Sequence, residues 1–159
     1  MAKPKYEERT DLEKIQSQWH KLTGLHTREE WSAAVVRAAT AAELAANFAI
    51  RQEFGKQGKF RAPFVDSLLV WANGLRGKLD HLLLPLTKGR GRYDDLKSLK
   101  KIAEEINSIR NGIAHQGHFC DEDEAKKVIG HARKFIEGIV QHYEPKFRLV
   151  DQKSTKSKR

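Results

Sequence analysis

Apolar residues recur every three or four positions along most of this chain, and no two-residue alternation persists, so the pattern predicts helices and no strands. Thr10-Asp11-Leu12-Glu13 has the form of a capping box, in which the first and last residues satisfy each other's backbone N–H groups. Leu12, Ile15, Trp19 and Leu22 then share one face as far as a predicted stop at Gly24. A second box, Thr27-Arg28-Glu29-Glu30, predicts the start of a long alanine-rich helix that carries Trp31 and Val35 and reaches about Phe54. Its small residues, among them Ala38, Ala42, Ala45, Ala46 and Ala49, lie on several faces and imply close approach by more than one neighbouring helix.

Beyond a polar break at GKQGK (residues 55–59), a third helix is expected near Pro63, because proline is tolerated in a first helical turn. Phe64, Leu68, Trp71, Leu75, Leu79 and Leu82 form its predicted buried stripe, which Pro85 and the loop TKGRGRYDD bring to an end. Leu96, Leu99, Ile102, Ile106, Ile109 and Ile113 define a fourth helix closed by Gly117. Asp121 and Glu124 open a fifth, with Ala125, Val128, Ile129, Ala132, Ile136, Ile139 and Val140 on its apolar face. Short connections between long helices favour antiparallel neighbours. The expected fold is all-α: an antiparallel up-down bundle of about five helices, divided into an N-terminal extension with a short amphipathic helix (1–26), the bundle (27–144) and a flexible basic tail (145–159).

At 159 residues the chain suits one domain with a single core. No apolar run is read as a membrane span, and MAKPKYEERT has no apolar centre of the kind a secretory signal carries. Cys120 stands alone, which excludes an internal disulfide and fits a reducing compartment, so the expected location is the cytoplasm. The formal charge of +9 points to an acidic partner such as nucleic acid. The segment from Pro145 to Arg159 sets six basic residues against Asp151 and so holds five of those nine charges. Excess charge is therefore concentrated in the tail.

The candidate chemistry lies at the end of the fourth helix, in Arg110-Asn111-Gly112-Ile113-Ala114-His115-Gln116-Gly117. Arginine is a permanent cation with a fork of donors that matches a phosphate, and histidine exchanges protons near neutral pH. On an ideal helix Arg110 and His115 stand roughly 140° apart, with Asn107 and Asn111 between them. Loosening of the helix before Gly117 would bring His115 nearer to Arg110, and a second copy of the chain would place four such groups in one groove. The Arg-x4-His spacing recurs at Arg76–His81, where Lys78 and Asp80 read as ordinary surface pairing in mid-helix.

The stretch from Ile106 to Gly117, with the acidic helix start Asp121 to Ala125 and a final amphipathic helix, resembles the HEPN superfamily. In helix order the likeness covers roughly residues 27–143, with its specific signature within 106–130. It implies a small helical bundle, usually dimeric, and in many members a metal-independent ribonuclease of toxin–antitoxin or phage-defence systems. It would make Arg110 and His115 the catalytic pair and Asn111 their assistant, with no cofactor, RNA as substrate, a homodimer as the working unit, and an antitoxin or nucleotidyltransferase as possible partner. His115 would take the proton of a ribose 2′-hydroxyl while Arg110 stabilises the charge on the phosphate. Two positions depart from the family pattern. Gly117 stands where nucleotidyltransferase-modified toxins have tyrosine, and Asn47 and Phe48 follow the candidate acid Glu43 where some members have Lys-Arg.

Supporting roles fall to Glu43, Asn47 and Asn107, and Lys88, Arg90 and Arg92 of the glycine-rich loop are candidate RNA contacts, although a flexible, solvated connector is the favoured reading of their composition. His115, His118, Cys120 and Asp121 bring metal-type side chains together in sequence, but one cysteine without a second ligand pair does not match a structural zinc pattern, so no metal is expected. Two alternatives stand beside the nuclease: a non-catalytic HEPN module that binds RNA, nucleotide or a protein, and an interaction subunit whose Arg–His segment only builds structure.

Overall fold

The computed structural model describes residues 2–153, and these form an all-helical bundle. After a 3-10 turn at Tyr6–Glu8 come α1 (Asp11–Thr27), α2 (Trp31–Gln57), α3 (Ala62–Trp71) and α4 (Gly74–Lys78). A π-helical turn, Leu79–Leu83, joins α4 to α5 (Leu84–Thr87), and α6 (Tyr93–Gln116) and α7 (Glu122–Val140) complete the set.

The central element is α2. Ala34, Ala38, Ala41, Ala42, Ala45, Ala46 and Ala49 are all 0% exposed, and with Val35, Phe48, Ile50, Glu53 and Phe54 also buried the helix is enclosed on most of its circumference. Polar pairs give its neighbours their directions. Arg51 near its end binds Asp11 at the start of α1, and Arg37 donates to Gln18, so α1 runs antiparallel to it. Ser32 Oγ accepts from Cys120 N beside the start of α7, while Tyr143 just beyond the end of α7 donates to Glu53, so α7 runs parallel. His131 of α7 pairs with Glu105 of α6, and Leu99 packs on Gly138, which makes α6 and α7 antiparallel. By length and composition α2 would also suit a membrane, a property it shares with buried core helices.

Thr10 and Asp121 cap α1 and α7 as predicted, accepting from Glu13 N at 3.2 Å and Glu124 N at 2.8 Å. The predicted Thr27 box does not form. Helix α1 runs through Gly24, Thr27 is its last residue, and the Thr27 hydroxyl donates back to Thr23 O instead of capping α2. α2 starts three residues later than expected of a Thr27 cap and ends at a left-handed Gly58. Although assigned to an extension, α1 buries Ile15, Trp19 and Leu22 completely against the bundle.

The stripe predicted over 64–82 is also corrected. Phe64 and Trp71 are exposed, and Val65, Leu69 and Ala72 are buried in their place. The chain breaks at Ala72-Asn73 before the positive-φ Gly74, so the register of α3 is independent of the Leu75–Leu83 face. Pro85 does not end the helical run. It has no N–H to donate four residues back, and the wider π turn just before it absorbs that fault, closing with Leu84 N on Leu79 O.

The tail expected to begin at residue 145 is held against the bundle over its first part. Leu149 is buried, Gln16 Nε2 donates to Val150 O at 2.7 Å, and Trp19 Nε1 donates to Asp151 at 2.7 Å. Residues 154–159 lie outside the described part.

At the far end of α2, Glu53 is buried, accepts from Tyr143 Oη at 2.6 Å and Arg90 Nη1 at 3.0 Å, and forms an ion pair with Lys56 Nζ at 3.5 Å. Burial, with the Glu53 carboxylate beside it, pushes the Tyr143 hydroxyl well above the ordinary tyrosine range, so it acts as a fixed donor. Removing that donor leaves a buried carboxylate short of a partner. Tyr143→Phe is therefore expected to lower the unfolding free energy by about 1.5–3 kcal/mol in urea denaturation, the range for hydrogen bonds to charged groups. A loss below about 0.5 kcal/mol would show that Lys56 and Arg90 satisfy Glu53 unaided.

Candidate functional site

Helix α6 turns Leu96, Ala103 and Ile106 into the core and presents Asn107, Arg110 and Asn111 along an adjoining strip. These three side chains line one wall of a cavity of about 300 Å³. Thr40 and Glu43 of α2 form the second wall, and residues 73–77, including Asn73 and Arg76, form the third. Three separate helical elements thus meet around a polar opening.

Its charges are arranged unequally. Glu43 Oε1 accepts from Lys78 Nζ at 2.9 Å, and the same ammonium donates to Leu69 O at 3.0 Å and Ala72 O at 3.3 Å. Lys78 is buried, which corrects its reading as a surface residue. It satisfies carbonyls at the end of α3 that have no helical partner, and it neutralises the one carboxylate of the cavity. Arg76 shares Asp80 with Lys100. Burial works against the Asp80 charge, but these two cations hold its carboxyl below the usual range. Arg110 makes no ion pair among the described residues, and its hydrogen bond runs to neighbouring Asn111 Oδ1 at 3.2 Å. A half-buried guanidinium with no carboxylate partner, flanked by carboxamides, is suited to an anion.

His115 sits one turn past Asn111, exposed in the last turn of α6, and does not line the cavity. The helix stays regular through Gln116, so the loosening that would swing His115 toward Arg110 is absent. Gly117 takes φ +67° and turns the chain back, with His118 N donating to Gly112 O at 3.1 Å. Within one copy, then, the structure brings Arg110 together with Asn107, Asn111 and Glu43, and it leaves His115 on the rim outside. Asn47 lies one turn along α2 from Glu43, away from the cavity lining, with its Oδ1 buried and unpaired among the described residues.

The glycine-rich loop is not part of this site. It precedes α6, whereas Arg110 lies about 25 Å further along that helix at 1.5 Å per residue. Arg90 is paired with Glu53, and the Arg92 guanidinium packs over the Tyr143 ring at 5.1 Å, so two of the three candidate RNA contacts are engaged in holding α2, α6 and the end of α7 together. Lys88 remains exposed. Thr40, Asn73 and Arg76 were not anticipated as lining. Only Arg76 had a sequence signal, in the Arg-x4-His repeat set aside as surface pairing.

No protein-family model, curated protein or solved structure matches this chain. Fold and site together define the protein as an all-helical bundle with an arginine-bearing polar cavity beside the end of α6.

The left-handed turn at Gly117 ends α6 and sets where the following loop points. A Cβ there meets no steric obstacle, so its cost is conformational. Gly117→Ala is expected to destabilise the protein by about 1–2 kcal/mol in thermal or urea unfolding. An unchanged stability would mean that α6 does not depend on this C-cap.

Proposed function

We propose that this chain is a metal-independent endoribonuclease of the HEPN type, acting as a homodimer on RNA. The observation that supports the reading is the Arg110 guanidinium, free of any carboxylate among the described residues, in a cavity that also holds Asn107 and Asn111, one turn from a solvent-exposed imidazole. In this mechanism Arg110 binds a phosphodiester and stabilises the charge that accumulates on its oxygens. Neutral His115 accepts the proton of the ribose 2′-hydroxyl, whose oxygen attacks phosphorus as the bond to the 5′-oxygen breaks. The leaving oxygen takes a proton from a second imidazole, that of the other copy in the dimer. Asn111 orients the phosphate, and Glu43, tied to Lys78, keeps the opposite wall in place. The dimer matters because His115 does not enter the Arg110 cavity of its own chain.

That same separation favours a second reading, a module that binds RNA or nucleotide through Arg110 without cleaving it. The two are distinguished by incubating RNA, and the matching DNA, with the protein in EDTA. The nuclease reading expects RNA cleavage that leaves 2′,3′-cyclic phosphate ends, DNA left intact, and at least about a 100-fold loss of rate in Arg110→Ala and in His115→Ala. Binding that weakens steeply with salt, without turnover, would establish the module instead. Cleavage by His115→Ala at the wild-type rate would end the nuclease mechanism.

A further inference from the structure

The loop between α6 and α7 carries a second constellation, separate from the Arg110 cavity. His118, Cys120 and Glu124 each point one ligand-type atom into a common space, and those atoms all lie within 4.8 Å of one another. They come from three different backbone settings: His118 from the loop after the Gly117 turn, Cys120 from the residue before the Asp121 cap, and Glu124 from the first turn of α7. A nitrogen, a sulfur and a carboxylate oxygen form the mixed donor set that suits a borderline-soft divalent ion.

Local geometry departs from ordinary capping in a way that bears on this. In a full capping box the carboxylate three residues after the cap turns back to the cap residue's N–H. Here Asp121 Oδ1 accepts from Glu124 N, but both Glu124 carboxylate oxygens stand 3.0 Å from His118 Nε2. The carboxylate is drawn away from the helix end and toward the imidazole and thiol. Cys120 is itself fixed, buried against the core with its N–H donated to Ser32 Oγ at 2.9 Å, while His118 is exposed and Glu124 half-exposed. Tetrahedral zinc, with bonds of about 2.0–2.3 Å, holds its donor atoms roughly 3.4–3.6 Å apart. Reaching that spacing means opening the His118–Glu124 pair slightly from 3.0 Å and bringing both toward the anchored sulfur, a rotamer adjustment of the two surface side chains.

We infer that His118, Cys120 and Glu124 form a binding site for a divalent metal of the zinc class, with its fourth position open to water. The site joins the end of α6 to the start of α7, so a bound ion fixes the loop that follows His115. It stands apart from the cleavage chemistry, since its ligands touch neither Arg110 nor the cavity. The chemistry is the reverse of the expectation drawn from a lone cysteine, because the fold supplies a carboxylate from the next helix as third ligand.

Cobalt(II) is the probe, because its bond to a thiolate gives a near-ultraviolet charge-transfer band and a carboxylate or imidazole alone does not. Titrating the full, metal-stripped chain is expected to raise this band to saturation at one ion per chain, and zinc is expected to abolish it by displacement. Cys120→Ser should lose the band. His118→Ala, an exposed change that spares the core, should weaken binding by at least about 10- to 100-fold, the loss that even an outer-shell partner typically causes. Absence of the band in folded wild-type protein, its persistence in Cys120→Ser, or unchanged affinity in His118→Ala would each overturn the site. None of these readouts depends on RNA cleavage.

Discussion

The burial of α2 is the constraint on which the other elements depend. Seven alanines with no exposed surface allow α1, α6 and α7 to approach one helix closely, and larger side chains at those positions would hold the neighbours apart. The alanines themselves contribute small apolar area, and Val35, Phe48, Ile50 and Phe54 supply the larger buried side chains of α2. The same core is completed by large residues of the neighbouring helices, Trp19 and Leu22 from α1, Ile106 from α6, Phe135 and Ile136 from α7, all fully buried. Polar pairs near the C-terminal end of α2 then select among the ways those helices could slide. Arg51 with Asp11 sets α1, and Glu53 with Tyr143 sets the end of α7.

The candidate site inherits its form from that packing. Glu43 and Thr40 belong to the central helix, so one cavity wall is as rigid as the core. Lys78 transmits this rigidity to the third wall, because its ammonium holds a carboxylate of α2 and two carbonyls at the end of α3 at once. A buried cation with three acceptors is a satisfied one, and losing any of them would leave charge stranded in the interior. Arg110 is the exception among these polar groups. Its neighbours orient it without neutralising it, which is why the cavity reads as a place for an external anion.

Much of the fold was legible in the chain, and the failures have specific physical causes. Thr10 and Asp121 cap as their spacing implies, and the α6 and α7 stripes run where periodicity puts them. Thr27 carries the same signature without the role, since a helix already in progress lets its hydroxyl bond the preceding turn. Phe64 and Trp71 fit a helical stripe with Leu75 only if the helix is continuous, and a break at Asn73 uncouples them. Arg110, Asn107, Asn111 and Glu43 were identified from sequence and do share one cavity. Lys78 was read as a surface residue because its meaning lies in a contact across the bundle, to Glu43 thirty-five positions away.

The two ends of α6 show why residue type alone does not assign function. Arg90 and Arg92 stand just before its start, in a loop whose glycines and cations resemble a phosphate cradle, yet a buried glutamate and an aromatic ring occupy them. Arg110 stands near its other end, in a motif no richer in charge, and no carboxylate answers it among the described residues. The difference arises from what stands opposite each: the buried Glu53 and its partner Tyr143 at one end, Glu43 paired with Lys78 at the other. Glu53 with Tyr143 thus holds Arg90 and Arg92 to the bundle, while Glu43, already paired, leaves Arg110 to meet a ligand.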